Sequence, residues 1–311
     1  MFEIHPIVWL QSWASPTLTA VMNGISLLGY TRAYVAIAVL LAFGFRLRAA
    51  VPLLVLVALS GAVTDIGKTV AEMPRPDADT RVRALGLFAS ELRERRADTP
   101  TQMEDSYGFP SGHVSATTSF IVGLGLLLRW SRRSWVLAVA WIAAMALSRM
   151  YLGRHFPGDV IGGVAIGLAT VWLGFAVLKV GQLAAESRVH HPWPAHRVMT
   201  VAIVLAVTAL LVGLPDAGDA GRMLGTAIGA LFLVSHDVFA RMKTVKAGVM
   251  LTVVAAVAFT AAWVAMSLVE ARISPSSVNA LRLAANTLPN AALLIVPALI
   301  PARMLRGPLT P

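Results

Sequence analysis

An all-helical protein that crosses a membrane many times is the fold class this sequence predicts, and three observations predict it. Hydrophobic residues fill 57 % of the 311 positions and charged residues only 14 %, against about 25 % charged in an ordinary soluble domain. Apolar windows close to the roughly 20 residues of a spanning helix recur along the chain. Lys and Arg gather in the polar gaps between them, 26 against 16 Asp and Glu, for a net charge of +10. Spread over many short loops, this excess suits an anionic membrane surface and argues against a nucleic-acid partner. No cysteine occurs, which removes disulfides, thiolate nucleophiles and sulfur-ligated metal sites.

The first apolar segment, residues 7–29, is diluted by Gln11, Ser12, Thr17, Thr19 and Asn23, so it either spans or lies along the interface. Glu3 and the lack of Lys or Arg in Met1–Pro6 argue against a cleaved signal peptide. Clearer spans follow at 31–45, 49–71, 113–129, 135–151, 159–180, 199–213, 222–240, 247–269 and 283–302. Arg46, Arg48, Arg129, Arg132, Arg133, Lys179, Arg188, Arg197, Arg241, Lys243, Lys246, Arg303 and Arg306 fall on one side of these spans, which marks that side as cytoplasmic. The opposite side holds the long loop from Glu72 to Phe109, whose Arg residues run against this rule. In that loop Val82, Leu85, Ala89 and Leu92 share a helical face, predicting an amphipathic helix on the membrane surface. Trp130, Trp135 and Trp193 sit where rings anchor at headgroup level. The polar stretch 186–198 holds three histidines and two prolines. It admits a metal site but reads better as a solvated linker, which divides the chain into 1–185, a linker at 186–198 and a helical unit at 199–311.

Three short stretches carry the chemistry. In the first, Lys68 lies inside the end of an apolar helix, with Arg75 beyond Pro74 and before Pro76. An embedded lysine costs about 3 kcal/mol at a helix centre and less near an end. Snorkelling or pairing with Asp65 would compensate it, and so would an anion clamped between Lys68 and Arg75. In the second, Pro110, Ser111, Gly112 and His113 open the helix that continues from Val114. Unpaired N–H groups and the positive end of the dipole suit a phosphate there, with Ser111 as an added donor and His113 as a proton carrier. An ordinary serine cap followed by a surface histidine fits the same residues. In the third, Ser148 and Arg149 end one span and Asp159 opens the next, four residues after His155. The Arg149 guanidinium matches phosphate geometry. Asp159 would take a proton from one His155 nitrogen and leave the other as a nucleophile, or it would simply cap its helix. All three stretches fall at one membrane face, which the basic loops make extracytoplasmic.

Together the stretches resemble the signature of the type 2 phosphatidic acid phosphatase superfamily, K-x6-R-P, P-S-G-H and S-R-x5-H-x3-D. Its fixed positions are met by Lys68, Arg75, Pro76, Pro110, Ser111, Gly112, His113, Ser148, Arg149, His155 and Asp159. The resemblance covers about residues 1–185 and implies a six-helix lipid-phosphatase core, followed here by about four further transmembrane helices. It also implies that His155 attacks phosphorus and forms a phosphohistidine, that Asp159 orients its ring, and that His113 protonates the leaving oxygen and then activates water. Lys68, Arg75, Ser111, Gly112 and Arg149 would hold the phosphoryl oxygens. No carboxylate cluster for magnesium is evident, so no metal or other cofactor is expected and activity should persist in chelator.

A site at the membrane face favours a phosphate ester on a lipid tail. The family suggests phosphatidic acid, phosphatidylglycerol phosphate, a glycolipid phosphate or a prenyl pyrophosphate such as undecaprenyl pyrophosphate, and an extracytoplasmic site favours the last, in a bacterial inner membrane. Rival readings are a lipid phosphotransferase using the same residues, a vanadate-dependent haloperoxidase, and a lipid transporter or scaffold built on the C-terminal helices. For the last, His236 and Asp237 lie in an apolar run near its cytoplasmic end. The C-terminal unit is also a candidate for lipid binding, homo-oligomer formation or partner contact.

Overall fold

A computed structural model describes residues 2–45, 50–76, 79–87, 107–184, 193–211, 218–235, 244–270 and 278–300. Among them the regular structure is entirely helical. The helices are α1 (His5–Ser12), α2 (Pro16–Leu28), α3 (Thr31–Val39, continuing as a π-turn over Leu40–Gly44), α4 (Ala50–Ala71), α5 (Gly112–Leu128) and α6 (Arg132–Tyr151). There follow α7 (Pro157–Trp172, with a π-turn over Leu173–Val177), a 3₁₀ turn at Val180–Ala184, α8 (Trp193–Leu211), α9 (Gly218–Ser235), α10 (Val245–Glu270) and α11 (Val278–Leu299).

Local chemistry explains the boundaries nearest the site. Ser15 accepts a hydrogen bond from the Leu18 N–H at 3.2 Å, and Pro16 supplies the fixed φ of a first helical position, so α2 starts there. That cap breaks the expected 7–29 segment into α1 and α2. Ser131 caps α6 in the same way, accepting from Ser134 N–H. Arg129 closes α5 in a left-handed conformation, φ 53°.

Among the described residues four helices, Ala50–Ala71, Arg132–Tyr151, Pro157–Val177 and Val245–Val269, are long and apolar enough to cross a membrane. The bent pair Pro16–Leu28 and Ala33–Gly44 makes a fifth if it counts as one span. Gly112–Leu128, His196–Thr208, Ala220–Leu233 and Leu283–Leu299 are apolar but shorter. The protein is an integral membrane protein.

Two compact units form, one from residues 1–34 and 63–170, the other from 35–62 and 171–311. The first is centred on buried Val114, Met145 and Val160, with Ile25, Trp141 and Val164 packed around them. In the second, Gly221, Gly225 and Gly229 bring α9 against α11; a Cβ on Gly225 would lie 3.0 Å from the Ala291 nitrogen and run into the Thr287 carbonyl.

Of the expected linker, residues 193–198 are already helical and open α8, while 185–192 lie outside the described residues. His236 and Asp237 also lie outside them. The expected amphipathic helix is absent over its first half. Residues 81–85 run as turns and irregular chain because other partners take their backbone groups. Gln11 donates to the Arg83 carbonyl at 2.7 Å and accepts from the Arg83 N–H at 2.9 Å, and the Leu85 N–H donates to the Leu152 carbonyl. Ala89 and Leu92 lie outside the described residues.

Candidate functional site

Backbone contacts inside the first unit tie the three stretches to one another. The Gly108 N–H donates to the Met73 carbonyl at 2.7 Å, which pins the stretch after α4 to the segment leading into α5. A Cβ on Gly108 would lie 2.9 Å from the Pro74 carbonyl and 3.1 Å from Oδ2 of Asp159, so the close approach requires glycine here. The Ser111 N–H donates to the Asp159 carbonyl at 3.0 Å, joining the start of α5 to the start of α7. Gly163 permits that junction, since a Cβ there would stand 2.7 Å from the Ser111 carbonyl. Residues separated by some ninety positions in the chain thus share one corner of the bundle.

Lys68 lies in the last turn of α4 with its ammonium 3.8 Å from the Asp65 carboxylate. The pairing expected from the sequence is present, yet at that distance and with 30 % of the lysine side chain exposed it is worth only a few tenths of a kcal/mol. Ser111 occupies the N-cap position of α5, but its hydroxyl makes no capping bond. Instead Oγ is buried without a hydrogen-bond partner among the described residues. The ordinary-cap reading therefore fails at Ser111. His113 follows in the first turn, and its Nε2 is likewise buried and unpartnered. The ring of His113 stands edge-on to Tyr30, with centroids 4.5 Å apart.

In the third stretch, Arg149 is buried in the last turn of α6 and its Nη1 donates to Ser26 Oγ. Ser148 spends its hydroxyl inside the helix, donating to the Met145 carbonyl at 3.0 Å. His155 is 3 % exposed, and its Nδ1 lies 3.3 Å from Asp159 Oδ2. The same oxygen accepts the Phe156 N–H at 2.9 Å. From the first turn of α7 the Asp159 carboxylate thus reaches back to the N–H before the helix and faces His155 with the same oxygen. Proton occupancy of Nδ1 follows from this geometry, since a carboxylate requires a donor opposite it, and the lone pair of the neutral ring is then on Nε2. Burial, then the positive charges of Arg75 and Arg149, then His113 and Lys68, push the His155 imidazole well below the usual histidine range. The charges of Arg149, Arg154, Lys68 and Arg75 all reach His113.

The structure places Lys68, Arg75, Ser111, Gly112, His113, Arg149, His155 and Asp159 in the same unit, and the charges of Lys68, Arg75 and Arg149 reach both imidazoles. Sequence reasoning missed Arg154; it is 9 % exposed, and its N–H donates to the Arg149 carbonyl at 3.0 Å. Its position directly before His155 was the available signal. Ser26, Tyr30 and Gly108 were also missed, and only their folded neighbours reveal them.

Chemically, fixed cations, a buried hydroxyl, an unpartnered imidazole nitrogen and a second imidazole oriented by a carboxylate suit a tetrahedral oxyanion. The model of the PAP2 superfamily matches residues 49–182, which include all three stretches. A decaprenylphosphoryl-5-phosphoribose phosphatase of Mycobacterium tuberculosis is 43 % identical over 84 residues, 27 % of this chain and 41 % of the relative. Phosphatidylglycerophosphatase B of Bacillus subtilis is 34 % identical over 101 residues, 29 % of this chain and 50 % of the relative. An undecaprenyl-diphosphatase of Sulfolobus acidocaldarius is 30 % identical over 95 residues, 29 % of this chain and 44 % of the relative. The chain spans half or less of the length of these relatives. No solved structure matches it. Through residues 49–182 the chain is similar to the PAP2 superfamily.

Proposed function

We propose that this protein is a membrane lipid phosphatase that hydrolyses a lipid phosphate or pyrophosphate ester through a phosphohistidine on His155, without a metal ion. The observation that carries the reading is the pair of buried atoms without partners, Ser111 Oγ and His113 Nε2, beside a cluster of cations. Leaving each such group unpaired costs about 1–3 kcal/mol, which an arriving phosphoryl group relieves.

In the first step, His155 Nε2 attacks phosphorus while the bond to the leaving oxygen breaks; its electron pair stays on that oxygen, which takes a proton from His113. In the second, His113 removes a proton from water, the resulting oxygen attacks phosphorus, and the P–N bond breaks to return neutral His155. Asp159 Oδ2 holds the Nδ1 proton throughout and stabilises the positive charge that the ring acquires. Lys68, Arg75, Arg149, Ser111 and the Gly112 N–H hold the equatorial oxygens, the charge-cancelling work on which phosphoryl transfer chiefly depends. Three permanent cations do this without magnesium.

The relatives act, by their names, on decaprenylphosphoryl-phosphoribose, phosphatidylglycerophosphate and undecaprenyl diphosphate. A lipid tail ending in a phosphate or diphosphate is their shared chemistry, and it is the substrate class proposed here. The distribution of Lys and Arg supports an extracytoplasmic site in a bacterial inner membrane. The end of the family match at residue 182 supports treating 199–311 as a unit with a role of its own.

The test is phosphate release by the full chain in detergent from phosphatidic acid, phosphatidylglycerol phosphate and undecaprenyl pyrophosphate, with and without EDTA. Release from at least one of them, undiminished by chelator, is expected. No release from any, transfer of the label to a second lipid, or loss of activity in EDTA would overturn the reading. The pH profile gives a second check. A nucleophilic histidine must be neutral, and His155 is held below the ordinary value of about 6.5. Its protonation therefore begins only below that pH, and the acid limb of kcat/KM, which reports the free enzyme, is expected there. An acid limb at or above that value counts against His155 as nucleophile.

A further inference from the structure

The residues that touch Arg149 and His113 from outside lie before the family-matched segment, at the C-terminal end of α2. Ser26 is 6 % exposed and Arg149 is 4 % exposed, so their hydrogen bond is shielded from water. A guanidinium is planar, and fixing one edge of it fixes the direction of its remaining N–H groups. Three residues on, Gly29 faces the same site. A Cβ there would stand 2.8 Å from Cδ2 of His113 and 2.6 Å from Sδ of Met145. Tyr30 then sets its ring edge-to-face on the His113 imidazole at an interplanar angle of 65°. The imidazole is thereby enclosed from the α2 side, and Nε2 is its unpartnered atom. Thr19, at the other end of α2, shares a 2.8 Å hydrogen bond with the hydroxyl of Tyr151, two residues after Arg149. The helix is therefore fixed to the end of α6 at two points.

We infer that Ser26–Tyr30 is a positioning element of this site: Ser26 aims the Arg149 guanidinium at the phosphoryl oxygens, and Tyr30 with Gly29 holds His113 so that Nε2 meets the leaving oxygen. The inference rests on the phosphatase reading. It assigns the two contacts separate consequences, one on anion binding and one on the chemical step.

Full-length Ser26→Ala, Ser26→Thr, Tyr30→Leu and Tyr30→Phe proteins in detergent test it, with phosphate release giving kcat and KM and orthovanadate inhibition reporting anion binding. Ser26→Ala is expected to raise KM and weaken vanadate inhibition by about 10-fold, the effect of losing a hydrogen bond to a charged group, with kcat changed much less. Ser26→Thr keeps the hydroxyl and restores both. Tyr30→Leu is expected to lower kcat by about 10-fold or more, part of what the proton transfer contributes, with vanadate inhibition unchanged. Tyr30→Phe keeps the ring and restores kcat. Variants that match the wild type, or that lose kcat and vanadate binding together without rescue by Thr or Phe, overturn the inference while the phosphatase reading stands. A wild-type protein that releases no phosphate from any of the esters removes both.

Discussion

Phosphate release by the His155→Ala protein is expected to fall to background. The proposed reaction has no step that bypasses the P–N bond: the cations bind the phosphoryl group, yet without Nε2 nothing attacks it. His113→Ala should behave differently, because it removes only proton transfer. Such transfer is typically worth about 10²- to 10⁴-fold, so a slow enzyme should remain. Its residual rate should depend on the leaving group, with esters of acidic alcohols least affected, since their oxygen departs without a proton. His155 is buried and His113 partly buried, so matching thermal transitions in detergent would show that neither loss reflects unfolding. Normal release by His155→Ala would remove the nucleophile from the account.

Asp159→Asn carries the second largest expected loss, and the structure says why the amide is the informative change. Oδ2 of Asp159 accepts from the Phe156 N–H and faces His155 Nδ1. Both contacts fall on that one oxygen. An asparagine with its amide oxygen there keeps both bonds but lacks the charge that stabilises the ring once it carries the phosphoryl group. With its NH₂ group there it loses the Phe156 bond, and Nδ1 becomes an acceptor, so the proton moves to Nε2 and blocks the atom that attacks phosphorus. In serine hydrolases the same exchange in a carboxylate–imidazole pair costs about 10⁴-fold, and a loss approaching that size is expected here. Asp159→Ala should lose the cap as well, at about 1 kcal/mol, and so lower both activity and melting temperature. An Asn variant with full activity would leave Asp159 as a helix cap alone.

The sequence displayed more of the site than of the fold. Lys68, Ser111, His113, Arg149, His155 and Asp159 were legible because their spacing and placement at helix ends are local facts. The two uses of Asp159 were legible for the same reason: His155 and Phe156 precede it within one turn. Ser26 and Tyr30 were not, since their contacts with Arg149 and His113 cross more than eighty positions and no local pattern marks them. Arg154 was hidden by its type, because an arginine in a turn between spans reads as an exposed charge until its burial is seen. The break between α1 and α2 was written in Ser15 and Pro16, but apolar averaging over residues 7–29 erased it. The failed helix at Val82 and Leu85 has a related cause. Its periodicity was real, but Gln11 and Leu152 took the backbone hydrogen bonds that a helix would have needed.

Rapid quenching of the full-length protein with a ³²P-labelled lipid phosphate, followed by mapping of the label, reaches the central claim most directly. An acid-labile, base-stable phosphoryl group on His155, formed in EDTA and absent from His155→Ala, is the predicted result. Label on another residue, or steady release of phosphate with no bound label at any quench time under conditions that slow the second step, would contradict it.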